Sequence, residues 1–300
     1  MINTKTKTVD LRKLSSNLRR DILMMITNVN SGHAGGSLSE LEILITLYQS
    51  ILNIDPINPD KKDRDRFILS KGHASPGLYA VLSNKGFFPR FDLGGFRKLG
   101  SHLQGHTHIG TPGVEMSGGS LGQGLSFGVG IALAEKIDKL GYKTFVLLGD
   151  GECEEGQIWE AAMSASHYNL SKLTAIVDRN KIQNDRFTDE VSSLEPLDRK
   201  WTSFGWNVIK CNGHNYRSLA SSFAKAQLET RKPTVIIADT VKGKGISFME
   251  NNPGFHGKAP SLDQLIQALH ELNFSKASVL KASKEMDLSE TLLSKLSTNY

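Results

Sequence analysis

Short runs of β-branched and apolar residues recur along this chain of 300 residues, and most of them are separated by segments with helical spacing. Strands that alternate with helices in this way predict a parallel sheet with helices on both faces, a doubly wound α/β fold. Ligands of such sheets bind outside the carboxyl ends of the strands, so function is expected in the loops after strands. The predicted strands cover 67–69, 144–148, 173–177, 208–210 and 234–238, and the clearest helices between them cover 125–140 and 159–168.

Helical spacing of apolar residues also marks the start of the chain. It runs from Leu11 to Met25 and again from Leu38 to Leu52, and the glycine-rich stretch 30–36 predicts a loop between the two helices. No internal repeat or low-complexity linker divides the sequence. The simplest division is a disordered tail over 1–10, one sheet domain over 11–260 and a helical tail over 261–300.

Composition and charge exclude several classes of protein. The two cysteines, Cys153 and Cys211, are too few for a disulfide framework, and the first residues contain no apolar run typical of a signal peptide. No stretch of about 18 or more apolar residues could span a membrane. The net charge of +5 is spread over runs of mixed sign, so nucleic acid is not an expected partner. A cytoplasmic protein is therefore expected.

An aspartate between two glycines follows the predicted strand 144–148. Gly149 and Gly151 let the backbone turn tightly and approach a ligand, and a helix expected to begin near Glu152 offers N–H groups to an anion. Asp150 would repel a phosphate group at this point unless a divalent cation lay between them. The pattern therefore predicts Mg²⁺ held by one carboxylate, by neutral oxygens and by the phosphates of a ligand.

Asn180 follows Asp150 by 30 positions and comes after the next predicted strand, so both turns should open at the same edge of the sheet. Its amide oxygen and the backbone carbonyl of Ile182 can supply neutral metal ligands. Taken alone, the Gly-Asp-Gly turn would be structural more often than functional, and a dinucleotide fingerprint fails because Glu154 replaces its third glycine. Neither alternative accounts for Asn180.

A Gly-Asp-Gly turn followed about thirty residues later by asparagine resembles the motif of the thiamine diphosphate enzymes. Within them the chain closely resembles the transketolase family, from about Leu11 to about Lys258. Several separate segments carry this resemblance in the family's order. They are Ser31-Gly32-His33, Ser70-Lys71-Gly72-His73, Gly105-His106, Thr111-Pro112-Gly113-Val114-Glu115, Gly119-Ser120-Leu121-Gly122-Gln123-Gly124, Lys242-Gly243-Lys244-Gly245 and His256-Gly257.

The resemblance implies that the chain binds thiamine diphosphate with Mg²⁺, which Ca²⁺ or Mn²⁺ can replace. The implied metal ligands are Asp150, Asn180 and Ile182. The implied cofactor contacts are His73, Gly119, Ser120, Leu121, Gly151, Glu152, Asn180, Lys242 and His256. The implied catalytic residues are His33, His106 and His256, which would line the substrate channel, and Glu155, which would link two cofactors across a subunit interface. Glu155 could equally be an exposed acid of a first helical turn.

Among the nine histidines, His33, His73, His106 and His256 each lie directly beside a glycine in a segment that carries the resemblance. A bulky titratable ring beside glycine in a loop is an unusual choice for core packing. Any one of them would be structural more often than not. Four such loops from distant parts of the chain favour a site, because moving hydroxyl protons during carbon–carbon cleavage needs groups that titrate near neutrality.

Ala34 follows His33 and Thr107 follows His106, whereas members of the family often carry proline at these two positions. Proline fixes φ, so the departures bear on the rigidity of the channel loops and on the choice of acceptor. The residues predicted to hold the metal are not affected.

Only 120 residues follow Asn180, and they include two predicted strands of the first sheet and the helical tail. They cannot build another sheet domain of about 100–150 residues. In the family, a second such domain supplies a glutamate to the aminopyrimidine ring of the cofactor, and a third domain follows. We therefore expect a partner chain, a C-terminal transketolase subunit, in a heterotetramer with two copies of each chain.

The leading hypothesis is the N-terminal subunit of a transketolase, which moves a two-carbon ketol unit from a ketose phosphate to an aldose phosphate, as in the pentose phosphate pathway. One alternative is a subunit of another thiamine diphosphate carboligase or of a 2-oxoacid dehydrogenase, which would not need this series of histidines. Another is a non-catalytic assembly subunit, which the loss of a cofactor contact would favour. No such loss is evident in the sequence.

Overall fold

A computed structural model describes residues 10–300 and confirms the predicted α/β fold. Five parallel strands form one sheet in the order β1-β2-β3-β7-β6, and all five were predicted from the sequence. The strands are β1 (Arg66–Leu69), β2 (Thr144–Gly149), β3 (Leu173–Arg179), β6 (Asn207–Asn212) and β7 (Thr234–Asp239), with β4 (Ile182–Gln183) and β5 (Arg186–Phe187) in a separate antiparallel pair.

Helices cover both faces of the sheet, and none within residues 10–300 is long and apolar enough to cross a membrane. The α-helices are α1 (Leu11–Asn28), α2 (Ala34–Ser39), α3 (Leu41–Thr46), α4 (Ser75–Lys85), α5 (Gln123–Asp138), α6 (Gly156–His167), α7 (Thr188–Val191), α8 (Leu197–Ser203), α9 (Tyr216–Leu228), α10 (Leu262–Glu271), α11 (Lys276–Glu285) and α12 (Glu290–Asn299). A π-helix covers Leu47–Ile51, and 3₁₀ turns cover Gly72–Ala74, Arg90–Gly95, Gly151–Glu154 and Pro253–Phe255.

Alternate residues of the strands face two separate hydrophobic clusters. Phe145 and Leu147 of β2 belong to the cluster beneath α1–α4 and α9, whereas Val146 and Leu148 belong to the cluster beneath α5, α6 and α8. Side chains of a strand alternate between its faces, so this division follows from the pleat. It confirms the doubly wound arrangement.

The predicted loop over 30–36 and the continuous helix over 38–52 are both wrong in their bounds. The loop ends at His33, and the segment after it is divided into α2, α3 and the π-helix. Gly35 lies inside α2, where a Cβ atom would come 2.8 Å from the carbonyl oxygen of Phe255. Position 35 therefore requires glycine because α2 packs closely against the segment that contains Lys242 and Phe255, and not because the chain turns there.

The helix expected to begin near Glu152 begins later. The residues after Asp150 form the 3₁₀ turn Gly151–Glu154, and α6 starts only at Gly156. Asp150 accepts a hydrogen bond of 2.8 Å from the backbone N–H of Gly151. A tight turn, and not a long helix, therefore follows this aspartate.

The first helix and the last three helices of the described residues pack into one core. The predicted disordered tail lies outside the described residues except for Asp10, whose carboxylate accepts from the backbone N–H groups of Arg12 and Lys13 and caps α1. Residues 261–300 form α10–α12, whose buried side chains share a cluster with those of α1. In α10, Leu265 is fully buried in that cluster.

We predict that Leu265→Ala lowers the free energy of unfolding by about 2–5 kcal/mol, because it removes a buried side chain and leaves a cavity. Chemical denaturation of the full-length chain measures this change. Gln267→Ala in the same helix is the control, since Gln267 is exposed. An equal, small effect of both substitutions would show that α10 does not contribute to the core.

Candidate active site

The parallel pairing of β2 with β3 sets Gly149 opposite Asp178. The turns that carry Asp150 and Asn180 consequently emerge side by side at the carboxyl edge of the sheet, as the sequence predicted. The turn after β1, which contains Lys71 and His73, opens at the same edge. The segment after β7 adds Lys242 there.

These turns surround a cavity of about 400 Å³. It brings together every residue that the sequence predicted for the site except Ser120, which is exposed beside it. The predicted residues that line it are His33, His73, His106, Gly119, Leu121, Asp150, Gly151, Glu152, Glu155, Asn180, Ile182, Lys242 and His256. A second cavity, lined by Lys139 and Arg231 among others, contains none of them.

Asp150 is almost completely buried. One of its carboxylate oxygens accepts from the guanidinium of Arg179 at 3.1 Å and from the backbone N–H of Lys181. Burial raises the pKa of Asp150, and the negative charge of Asp178 raises it further. A cation beside Asp150 would stabilise its ionised form, which fits a carboxylate that holds a metal ion.

Asn180 and Ile182 present neutral oxygens at the same place. The amide oxygen of Asn180 accepts from the backbone N–H of Ile182 at 3.1 Å, and a second lone pair remains for a metal. The carbonyl oxygen of Ile182 accepts from the ammonium of Lys242 at 3.0 Å, so it already faces a cation. Within residues 10–300 no group of three His, Cys, Asp or Glu side chains could hold a metal alone. The oxygens present suit Mg²⁺ only together with phosphate oxygens.

Lys242 lies between the metal-ligand end of the cavity and its histidines. Its Nζ atom is 2.7 Å from Nδ1 of His256. Burial, together with the positive charge of Lys71, lowers the pKa of Lys242 to about 8. A buried ammonium without a carboxylate directly bonded to it is suited to an anionic ligand.

The histidines predicted from their neighbouring glycines form one cluster. The ring of His33 has its centroid 5.0 Å from that of His73, 5.3 Å from that of His256 and 6.2 Å from that of His106. Burial, together with nearby positive charges, lowers the pKa of His33 to about 4 and that of His256 to about 3. His33 and His256 are therefore neutral at pH 7, with one nitrogen that donates and one that accepts.

Arg97 is a residue of this site that the sequence did not reveal. Burial is the largest cause that lowers the pKa of His33 and of His106, and the positive charge of Arg97 is the second largest. Arg97 has a φ of 55°, and its Nε atom is buried without a partner in the described part of the chain. A Cβ atom on Gly105 would come 2.4 Å from that Nε, so the glycine before His106 makes room for Arg97.

Glu152 and Glu155 differ from each other in their surroundings. The carboxylate of buried Glu152 accepts from the backbone N–H groups of Gly122 at 2.8 Å and Gly149 at 2.9 Å, and from the hydroxyl of Ser70. These bonds hold three loops together, so the geometry favours a structural role for the Glu152 side chain over cofactor contact. Glu155 is exposed at the rim of the cavity.

Lys71, Glu40 and Asp178 form a buried ion cluster beneath the cavity, which the sequence also did not reveal. The Nζ atom of Lys71 lies 2.5 Å from Asp178 and 3.2 Å from Glu40. Burial raises the pKa of Glu40 to about 8 despite the charge of Lys71. Burial alone would raise the pKa of Asp178, but Lys71 holds it below its usual range. At pH 7 the cluster therefore pairs one lysine with one ionised aspartate.

Thr107 stabilises its loop through hydrogen bonds, at a position where members of the family often have proline. Its backbone N–H donates to the carbonyl of Gly72 at 3.2 Å, a bond that proline could not make. Its hydroxyl accepts from the backbone N–H of Gly118 at 3.0 Å. The loop of His106 is therefore tied to two neighbouring loops. Ala34 is the first residue of α2, where proline would also be tolerated.

Residues 12–289 match the family described as "Transketolase, thiamine diphosphate binding domain", and the parallel sheet with these loops at its carboxyl edge agrees with that class of protein. The chain therefore belongs to the transketolase family.

Relatives of two lengths are similar to this chain. It is 41% identical over 269 residues to a subunit of the apulose-4-phosphate transketolase of Phocaeicola vulgatus, covering 90% of this chain and 95% of that protein. It is 43% identical to a 6-deoxy-6-sulfo-D-fructose transketolase subunit of a Clostridium species, covering 88% and 96%. The transketolase structure from Leishmania mexicana superposes with a TM-score of 0.84 at 29% identity, covering 98% of this chain but 48% of that one. The chain thus spans about half of the longer transketolases.

We predict that Arg97→Gln raises the pKa of His33 and of His106, because it removes the cation that adds to the effect of burial. NMR titration of the histidine rings in the full-length chain measures this shift. The unfolded pKa of histidine is about 6.5, so the unfolded chain binds more protons as pH falls from 6.5 to 4. The wild type should lose stability over that window, and Arg97→Gln should lose less.

Arg90→Gln is the matched control, since Arg90 is paired with Asp21 and Glu285 instead of facing the histidines. Equal histidine pKa values in the Arg97→Gln variant and the wild type would contradict the electrostatic role of Arg97.

Proposed function

We propose that this chain is the thiamine diphosphate- and Mg²⁺-binding subunit of a two-chain transketolase, which transfers a two-carbon ketol unit from a ketose phosphate to an aldose phosphate. One observation carries the proposal. A single cavity combines the oxygens of Asp150, Asn180 and Ile182 with the cluster of His33, His73, His106 and His256. Metal ligands suit a diphosphate, and neutral histidines suit a substrate with several hydroxyls.

In this proposal, Asp150 is the charged ligand of Mg²⁺, and Asn180 and Ile182 supply neutral oxygens. Lys242 is the cation that faces the bound anion, and Gly119, Leu121 and Gly151 line the cavity around it. Ca²⁺ or Mn²⁺ could take the place of Mg²⁺, since both accept oxygen ligands. Thiamine diphosphate, when bound, supplies the carbon nucleophile that carbon–carbon bond cleavage requires.

The histidines then act on the sugar. His33 has an Nδ1 atom that is buried and lacks a partner within the described residues. A neutral ring in this state can accept a proton from a substrate hydroxyl or donate one to it. His106 is exposed and lines the cavity, which supports a role in contacting the acceptor sugar. His256 is oriented by its contact with Lys242, which leaves Nε2 for the substrate.

The proposed substrates are sugars with an anionic end. The names of two relatives specify apulose 4-phosphate and 6-deoxy-6-sulfo-D-fructose, and the chain is almost equally similar to both. A phosphate and a sulfonate are both anions, so charge alone does not distinguish between these substrates. Ketose phosphates, including those of the pentose phosphate pathway, are the first donors to assay, with a sulfosugar in parallel.

A partner chain completes the proposed enzyme. Relatives of about the same length are named as subunits, which supports a C-terminal subunit that provides the rest of the cofactor site. We propose a heterotetramer of two copies of each chain in the cytoplasm, since paired heterodimers form a closed symmetric assembly. Glu155 lies exposed at the rim of the cavity, where the partner would approach.

The sequence left two other functions as alternatives. A subunit of a 2-oxoacid dehydrogenase or of another carboligase would share the metal ligands, but the clustered histidines favour a polyhydroxylated substrate. A non-catalytic assembly subunit would be favoured by a lost contact. Apart from exposed Ser120, all the predicted residues line one cavity, which supports an active enzyme.

We predict that Asp150→Asn weakens Mg²⁺-dependent binding of thiamine diphosphate, because it removes the only charged protein ligand proposed for the metal. The loss should exceed the roughly 10–100-fold that is typical when a residue that orients a metal ligand is changed. Calorimetry on the complex with the partner chain measures this affinity. Asp65→Asn is the control, since Asp65 is also buried and accepts from backbone N–H groups, at the opposite edge of the sheet. Equal cofactor affinity in the Asp150→Asn variant and the wild type would remove the metal assignment.

We predict that the purified chain has no ketol-transfer activity and gains it when the C-terminal transketolase subunit of the same genome is added. The reason is that one side of the cofactor would lie in water and the opposing glutamate would be missing. Transfer from a ketose phosphate to an aldose phosphate is assayed with thiamine diphosphate and Mg²⁺ before and after mixing. Full turnover by this chain alone would refute the two-chain enzyme.

A further inference from the structure

Asn180, one of the proposed metal ligands, is hydrogen-bonded to a buried carboxylate. The amide nitrogen of Asn180 donates to Oδ2 of Asp178 at 3.1 Å. Asp178 is completely buried, and its other partners are the hydroxyls of Ser39 and Thr240 and the ammonium of Lys71. Every one of these contacts is with a hydrogen-bond donor.

Such a contact decides which way the amide of Asn180 points. An ionised carboxylate can only accept hydrogen bonds, so the NH₂ group of Asn180 must face Asp178. The amide oxygen lies on the opposite side of the group and is directed to the backbone N–H of Ile182 and the cavity. If the amide were turned over, its oxygen would face the carboxylate and its NH₂ group would face the metal ligands.

Lys71 makes this arrangement compatible with a metal site. It lies in the turn after β1, and its Nζ atom lies between Asp178, Glu40 and the carbonyl oxygen of Gly36. Its positive charge balances Asp178, which would otherwise be an unpaired charge in the core. Asp178 can therefore orient Asn180 without adding a second uncompensated negative charge beside Asp150.

We propose that Asp178 is a positioning residue of the metal site, which acts through Asn180 and has Lys71 as its counter-ion. This inference rests on the proposed function, in which Asn180 ligates Mg²⁺. Residues behind a metal ligand fix its orientation, and changing them commonly costs about 10–100-fold in metal affinity. A purely structural role would instead affect the stability of the chain and leave the affinity for Mg²⁺ unchanged.

The test is Asp178→Asn in the complex of the full chain with its partner. The new amide has almost the same size but can donate as well as accept, so it no longer forces one orientation of Asn180. We expect the affinity for Mg²⁺ at a fixed thiamine diphosphate concentration to fall about 10–100-fold. Calorimetric Mg²⁺ titration measures it directly, and saturating Mg²⁺ should restore most of the cofactor binding.

Two further variants separate positioning from folding. Thr240→Val is the control, since it removes one neutral partner of Asp178 and leaves the carboxylate facing Asn180. Should Asp178→Asn fold poorly because Lys71 loses its counter-ion, the double variant Lys71→Met with Asp178→Asn removes both charges together. The double variant should show the same loss of Mg²⁺ affinity.

Each outcome decides the inference. A folded Asp178→Asn or double variant with wild-type affinity for Mg²⁺ overturns the positioning role and leaves the proposed function standing. Failure of both variants to fold assigns Asp178 to the fold and also overturns it. A wild-type complex that binds no thiamine diphosphate with Mg²⁺ overturns the proposed function, and the positioning role with it.

Discussion

The parallel pairing of β2 with β3 is the constraint on which the site depends. Its register sets Gly149 opposite Asp178, so the turn of Asp150 emerges beside the turn of Asn180. Arg179, the last residue of β3, donates to Asp150 and joins the two turns. A shift of this pairing by one residue would exchange the faces of every strand side chain and separate the two turns.

Buried charges of this site belong to different turns and are paired only when the sheet has formed. Lys71 follows β1, Asp150 follows β2 and Asp178 lies in β3. A buried charge is unfavourable unless it is paired and hydrogen-bonded, so folding of the sheet and assembly of the site are coupled. Burial keeps His33 and His256 neutral, and the positive charge of Lys242 adds to this effect at both rings. One cavity thus combines an oxygen-rich end for a cation with an end of neutral rings.

Sequence patterns predicted the strands more accurately than the helix bounds. Buried parallel strands appear as continuous apolar runs, and all five runs became strands. The glycines of 30–36 were interpreted as a loop, although Gly35 and Gly36 lie in α2. Glycine at Gly35 is required by the approach of Phe255, a contact between residues more than two hundred positions apart. No local pattern contains that information.

By itself, the sequence determined the doubly wound sheet and predicted which residues share the cavity, including the histidines and the metal ligands proposed at Asp150, Asn180 and Ile182. These features depend on residue type, on short spacings and on the rule that parallel strands end at one edge. Only the tertiary structure decided the contact of Lys71 with Asp178, the position of Arg97 beside His33, and the bonds of Glu152 to the loops. Each of these contacts joins segments far apart in the chain, as the 107 positions between Lys71 and Asp178 illustrate. Such contacts leave no periodicity in the sequence, because they form only when the sheet brings its turns together.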